Sequence, residues 1–300
     1  MENDPREVKN YRIIKMEWAI PMVFTYALGI SLVHYLGGNI NTFDLVFGFF
    51  ICLFIFAMRA VLNAYFDHPE SPQSTLSTTD PAREVLKGHK RNLLLQISLL
   101  ILTAGAMLTV ILIVRNALTI PGIVYLGLAL LGYFFSATPP LRWDRIGYGD
   151  LVEGIVTVNL VPAFAMSLQG MEVPFLLLQL TLPLLLVYLA TKVAFSFRQY
   201  GFDTMHVRKS MVTLIGWQNA VILHNVLILG AFILIGVFML TGLPWSLSWP
   251  MLLALPVGAV QIWQLTRIAD GAKPAWMLLL WMAMGFFLVM VYLVLVSLWT

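Results

Sequence analysis

Charge is what this chain has least of. Only 18 Lys and Arg and 15 Asp and Glu occur in 300 residues, so 11% of the chain is charged while 60% is hydrophobic. A soluble domain carries about a quarter of its residues as charges, and a mean hydropathy of +0.85 excludes that class. Cysteine is nearly absent too. Cys52 stands alone inside an apolar run, which excludes an intramolecular disulfide, leaves redox compartment unspecified and suits a buried apolar thiol. The first apolar run is longer than a signal-peptide core and lacks a small-residue cleavage site, so the chain reads as uncleaved.

Apolar runs are what the sequence has in abundance. Crossing about 30 Å of hydrocarbon takes roughly 17 to 25 residues, and runs of that order occur near 17–36, 43–66, 92–114, 120–138, 150–168, 174–197, 214–241, 247–267 and 274–299. The expectation is an all-α polytopic membrane protein, a single domain over 1–300 with nine transmembrane helices. Basic residues set its orientation. Arg6, Lys9, Arg12 and Lys15 precede the first run; Arg83, Lys87, Lys90 and Arg91 follow the second; Arg142, Arg145, Arg198, Arg208, Lys209 and Lys273 follow later even-numbered runs, while Arg115 alone marks the opposite side. The N-terminus is therefore expected in the cytoplasm and the C-terminus outside, in the cytoplasmic (inner) membrane. Orientation accounts for the net charge of +3 without nucleic acid as a partner. Residues 1–16 suit either a short helix on the inner surface or a charged tail.

Two inner connections concentrate the remaining polarity. The first reads RAVLNAYFDHPESPQSTLSTTDPAREVLKGHKR from Arg59 to Arg91. Asn63 and Asp67 are four residues apart, so on a helix they share a face. Such a pair suits one cation: Mg²⁺ takes oxygen ligands and is often held by one or two carboxylates plus substrate phosphates, whose remaining charge the downstream Lys and Arg would meet. Capping and solvating a helix end is the competing reading. Pro69 and Pro72 stop the second helix, and Asp80-Pro81 resembles an N-cap with Pro at the first helical position, predicting a short basic helix over 82–91 that closes over the site. The second connection, KVAFSFRQYGFDTMHVRKSMVTLIG from Lys192 to Gly216, repeats the spacing with Gln199 and Asp203 between Arg198 and Arg208-Lys209. That repetition suggests an internal duplication, with segments 68–91 and 198–213 as the cytoplasmic loops of a diphosphate site. Between them, SATPPLRWDRIGYGDLVEG places Asp150 and Glu153 at the start of the fifth run, where acids complement the helix dipole; they read as caps. Asn159, Gln179, Gln218, Asn219 and His224 read as interhelical hydrogen-bonding groups.

With these loops in view, the whole chain resembles the UbiA superfamily of intramembrane prenyltransferases, in particular its menaquinone-biosynthesis branch. The family's first motif, Asn-Asp-x-x-Asp-x-x-x-Asp, is matched by Asn63 and Asp67, while Ala64 and Ser71 replace the other acids and Glu70 lies one residue short of the last. Arg83 and Gly88 echo its downstream Arg-Pro-Leu-x-Ser-Gly stretch, and its second motif, Asp-x-x-x-Asp, appears as Gln199 through Asp203. The resemblance implies nine helices around a central lipid-accessible cavity and Mg²⁺ as cofactor, held by Asn63, Asp67, Glu70, Gln199 and Asp203. It further implies that Asn63, Asp67 and Asp203 are catalytic, and that Arg83, Lys87, Arg198 and Lys209 bind the diphosphate of an isoprenyl diphosphate whose prenyl group passes to a hydrophobic aromatic, quinone-precursor-like acceptor. The missing acids keep two alternatives open: a terpene cyclase of the same superfamily, or a non-catalytic isoprenoid-, quinone- or pigment-binding subunit of a larger membrane complex. A transporter fits less well, because the polar residues gather at one face and form no path across.

Overall fold

The computed structural model describes residues 19–66, 81–205 and 210–300, with the backbone alone at 81–91 and 202–205. Among the described residues the chain is helical and has no strand. The helices are α1 (Ala19–Tyr35), α2 (Thr42–Phe66), α3 (Pro81–Val114), α4 (Ile120–Ala137), the short α5 (Trp143–Ile146), α6 (Gly149–Ser167), α7 (Phe175–Met205), the short α8 (Met211–Ile215), α9 (Trp217–Leu240), α10 (Trp245–Leu252), α11 (Leu255–Ala269) and α12 (Trp276–Trp299). Each of the nine apolar runs contains a helix, and among the described residues eight helices, counting α10 with α11, have the length and hydropathy to cross a membrane; α1 is a shorter apolar helix. Large apolar side chains such as Leu100, Met107, Ile233 and Trp281 are two-thirds exposed, as expected where lipid is the solvent.

Local chemistry explains several boundaries. Thr119 caps α4, its hydroxyl accepting from the Gly122 amide, with Pro121 in the first turn, where a missing N–H costs nothing. Pro139 and Pro140 follow the end of α4 at Ala137. Inside α6, residues Ile155–Leu160 form a π-helical turn, with the Val161 amide bonded to the Val156 carbonyl; Pro162 offers no N–H to the turn before it. Two details correct the sequence reading. Residues 81–91 are the first three turns of one continuous helix ending at Val114, not a separate short helix, because nothing after Pro81 breaks the helical pattern. The run at 247–267 is two helices, α10 and α11, with Pro250 inside the first and Pro256 opening the second.

Small residues bring the N-terminal half together, as is usual where lipid removes the hydrophobic drive between helices. A side chain at Gly29 of α1 would collide with the backbone of Pro162 in α6, and one at Gly154 would meet Leu185 and Tyr188 of α7. Leu28, Val158, Leu184, Tyr188, Phe286 and Phe287 belong to the largest buried cluster, and Tyr26, Cys52, Tyr133 and Phe164 to a second. This packing fixes α2, α6 and α7 around a common seam. The functional groups lie at the end of that seam where α2 finishes and α3 begins.

Candidate functional site

An arginine in an apolar 25-residue helix cannot stay charged in hydrocarbon without partners. Arg59 of α2 is buried and has two. Its Nη2 and Nε donate to Asp144 at 2.6 and 3.2 Å, a bidentate pairing, and its Nη1 donates to Glu153 Oε2 at 2.5 Å. The guanidinium also lies 5.1 Å from the centre of the Tyr133 ring. Glu153, on α6, accepts two further hydrogen bonds through Oε1: from Lys192 Nζ at 2.6 Å and from the Tyr188 hydroxyl at 2.8 Å, both on α7. Asp150 Oδ1 is 3.9 Å from the same ammonium. Asn63, one turn beyond Arg59, donates from Nδ2 to Asp144 Oδ2 at 2.5 Å.

Three spans and one connection thus share two cations and three carboxylates. Arg59, Lys192, Asp144 and Glu153 each have an opposite charge within hydrogen-bonding reach, the condition under which such groups are tolerated away from water, while Asp150 stands slightly farther off at 3.9 Å. Glu153 is the hub, since one carboxylate holds α2, α6 and α7 together. Asp144 reaches it from α5, a single turn held by two unusual backbone positions: Arg142 in the left-handed region at φ 42° and Gly147 at φ 92°. Gly149 makes room for this approach, because a Cβ there would lie 2.7 Å from Asp144 Cα.

The structure places the sequence-predicted residues unevenly. Asn63 enters the network directly. Gln199 is half-buried and two turns beyond Lys192 on the same face of α7, and Asp203 follows one turn later in register. Arg198 is half-buried beside Gln199. Arg83 and Lys87 fall in the opening turns of α3. Asp67, Glu70 and Lys209 lie outside the described residues. Among the described residues no three His, Cys, Asp or Glu side chains form a metal cluster. The reading of Glu153 as a helix cap is overturned: it is 4% exposed and carries three side-chain hydrogen bonds. The expectation that mid-helix polar groups bond across helices also fails at three positions. Asn219 donates back to the Ile215 carbonyl of its own chain segment, His224 Nδ1 meets the neighbouring Asn225 Oδ1 of its own helix, and among the described residues His224 Nε2 and Asn159 Oδ1 have no partner.

Asp144, Glu153, Tyr188 and Lys192 were missed as site residues because their relation is tertiary. One signal was available: Arg59 and Lys192 both interrupt apolar runs, and buried cations require carboxylates from elsewhere in the chain.

Helices of membrane-crossing length packed around a buried, salt-bridged cluster define a polytopic integral membrane protein with its polar chemistry at one end of the bundle. The chain belongs to the UbiA prenyltransferase family, whose profile it matches over residues 22–283. Its fold is shared with solved structures at low sequence identity. A structure concerned with digeranylgeranylglyceryl phosphate synthase in membranes aligns over 94% of this chain and 91% of that one at 16% identity and a TM-score of 0.59. A UbiA homolog from Archaeoglobus fulgidus bound to GPP and Mg²⁺ aligns over 93% and 99%, also at 16% and 0.59. The Archaeoglobus fulgidus homolog bound to Cd²⁺ gives 14% and 0.58, over 93% and 98%. No curated protein sequence is significantly similar to the chain.

Proposed function

We propose that this protein is an intramembrane prenyltransferase, moving a prenyl group from an isoprenyl diphosphate to a hydrophobic aromatic acceptor. The observation that carries the reading is the buried Arg59–Asp144–Glu153–Lys192 network directly beneath Asn63, in a chain of the UbiA prenyltransferase family. The donor set is compatible with a hard cation. Asn63, with its Nδ2 committed to Asp144, has its carbonyl oxygen left as ligand, and Gln199 offers another amide oxygen. Asn63, Asp67, Glu70, Gln199 and Asp203 would hold Mg²⁺, which when bound neutralises diphosphate charge and eases its departure.

The chain's own groups do the rest. Arg83, Lys87, Arg198 and Lys209, from segments 68–91 and 198–213, hold the diphosphate and stabilise it as it leaves. Arg59 and Lys192 do not serve that purpose, since Asp144 and Glu153 already take up their charge; they keep the floor of the site rigid. Catalysis is then positioning and electrostatic stabilisation of developing charge, with the apolar bundle excluding water from the allylic cation. The membrane is the cytoplasmic one, with the basic connections inside.

The test is Mg²⁺-dependent pyrophosphate release by the purified protein from geranyl, farnesyl and geranylgeranyl diphosphates, with and without quinone-type aromatic acceptors. Release that requires an acceptor is the expected outcome. Release without one would instead make the protein a cyclase, and no release from any substrate would make it a non-catalytic binder of isoprenoid lipids.

A further inference from the structure

Asn63 is held at one end by a group that the motif itself does not contain. The strap from Arg142 to Arg145 runs along the last two turns of α2 and meets three of its residues at helical spacing. Asp144 takes Arg59 and Asn63. Arg145 Nη2 donates to the Phe66 carbonyl at 3.3 Å, and the Arg142 guanidinium lies 5.5 Å from the Phe66 ring centre. Residues 59, 63 and 66 form one stripe, so the strap grips the face of α2 that carries Asn63. The strap is anchored in turn, since a Cβ at Gly147 would meet the side chain of Leu214 and lie 3.4 Å from the Ser210 carbonyl. The loop at 138–149 therefore touches the end of α2 on one side and the α8 segment on the other.

A primary amide has one face that donates and one that accepts, and only its oxygen can ligate a hard cation. A carboxylate only accepts. Asp144, already fixed by two bonds from Arg59, can satisfy Asn63 only through Nδ2 and forces the amide into a single orientation. We propose that Asp144 is a positioning residue for the cation site: it takes up the donor face of Asn63 so that Oδ1 is turned outward as a ligand. This rests on the reading of Asn63 as a cation ligand given above. It also provides a reason for Gly149, where a side chain would displace Asp144.

The isosteric change Asp144→Asn reverses the logic. The amide it introduces has one oxygen, where the carboxylate had two, for three donors: Arg59 Nη2 at Oδ1, and Arg59 Nε and Asn63 Nδ2 together at Oδ2. Asn63 then competes with the guanidinium for that one acceptor, its amide loses its single fixed orientation, and an N–H turned toward it draws its oxygen inward. The probe is Mn²⁺, measured by electron paramagnetic resonance on the purified, detergent-solubilised protein without substrate. Losing a group that orients a metal ligand costs about 10- to 100-fold in affinity, and Asp144→Asn is expected to weaken Mn²⁺ binding at least tenfold. The reciprocal exchange Asn63→Asp with Asp144→Asn restores a donor opposite an acceptor and is expected to recover the affinity. Arg145→Ala, which removes a different contact between strap and α2, is expected to lower the unfolding temperature while leaving Mn²⁺ affinity unchanged.

Equal affinity in wild type and Asp144→Asn overturns the proposal, as does an equal loss in Arg145→Ala, which would show the strap to be a clamp with no bearing on ligand orientation. If Asp144→Asn does not fold, the exchanged double variant decides, and failure to bind Mn²⁺ overturns the proposal. A wild-type protein that binds no Mn²⁺ removes the cation site itself, and with it both this inference and the reading beneath it.

Discussion

Glu153 holds the charge network together. It accepts from Arg59, Lys192 and Tyr188, so its removal leaves two buried cations with less compensation than they need. Removing one partner of a buried ion pair costs about 3–5 kcal/mol. Glu153→Gln should therefore lower the unfolding temperature markedly in a detergent melt, and adding Lys192→Met should recover part of the loss, because the second change deletes one of the cations whose nearest carboxylate the first neutralised. A double-mutant cycle that came out additive would show that the two side chains do not share one interaction. At this scale the sequence was only half legible. Asn63 could be singled out from spacing, since its place on a helix end depends on local pattern. Glu153 looked like a cap because its short-range surroundings are those of a cap, and its partners lie 94 and 39 residues away in the chain.

Among the elements, the approach of α1 to α6 depends on the absence of a side chain. The ideal Cβ at Gly29 would lie 2.8 Å from Pro162 Cα, and backbone cannot step aside as a side-chain tip can. Gly29→Val should destabilise the protein by about 1–3 kcal/mol, the usual cost of overpacking, with the loss read from thermal unfolding; Gly236→Val, at a position with open space around the glycine, is the matched control and should change little. Helix existence was readable from apolar length alone, and so were the stops at prolines 139 and 140. The π turn at Ile155–Leu160 and the unbroken α3 from Pro81 were not. Both depend on how one turn hands its hydrogen bonds to the next, and composition does not record that.

For the whole molecule, the basic connections predict a definite topology. Cys52 is the one cysteine and is buried, so a Cys52→Ala background carrying a single reporter is straightforward to label. In intact cells a membrane-impermeant maleimide should modify Thr300→Cys and spare Lys273→Cys until the membrane is opened. The reverse pattern would place the motif loops outside and contradict the charge rule. What the sequence by itself determined was the class of protein and the helices, because hydropathy over about 20 residues is a local property that lipid enforces, and also the family, through motif residues such as Asn63 that stay close together along the chain. Which charges neutralise which was decided only by the tertiary structure. Arg59, Asp144, Glu153 and Lys192 come from four separate elements, and no local pattern encodes their meeting. Only the packing of α6 against both α2 and α7, with α5 strapped across the end, brings them within hydrogen-bonding distance and leaves Asn63 held from one side.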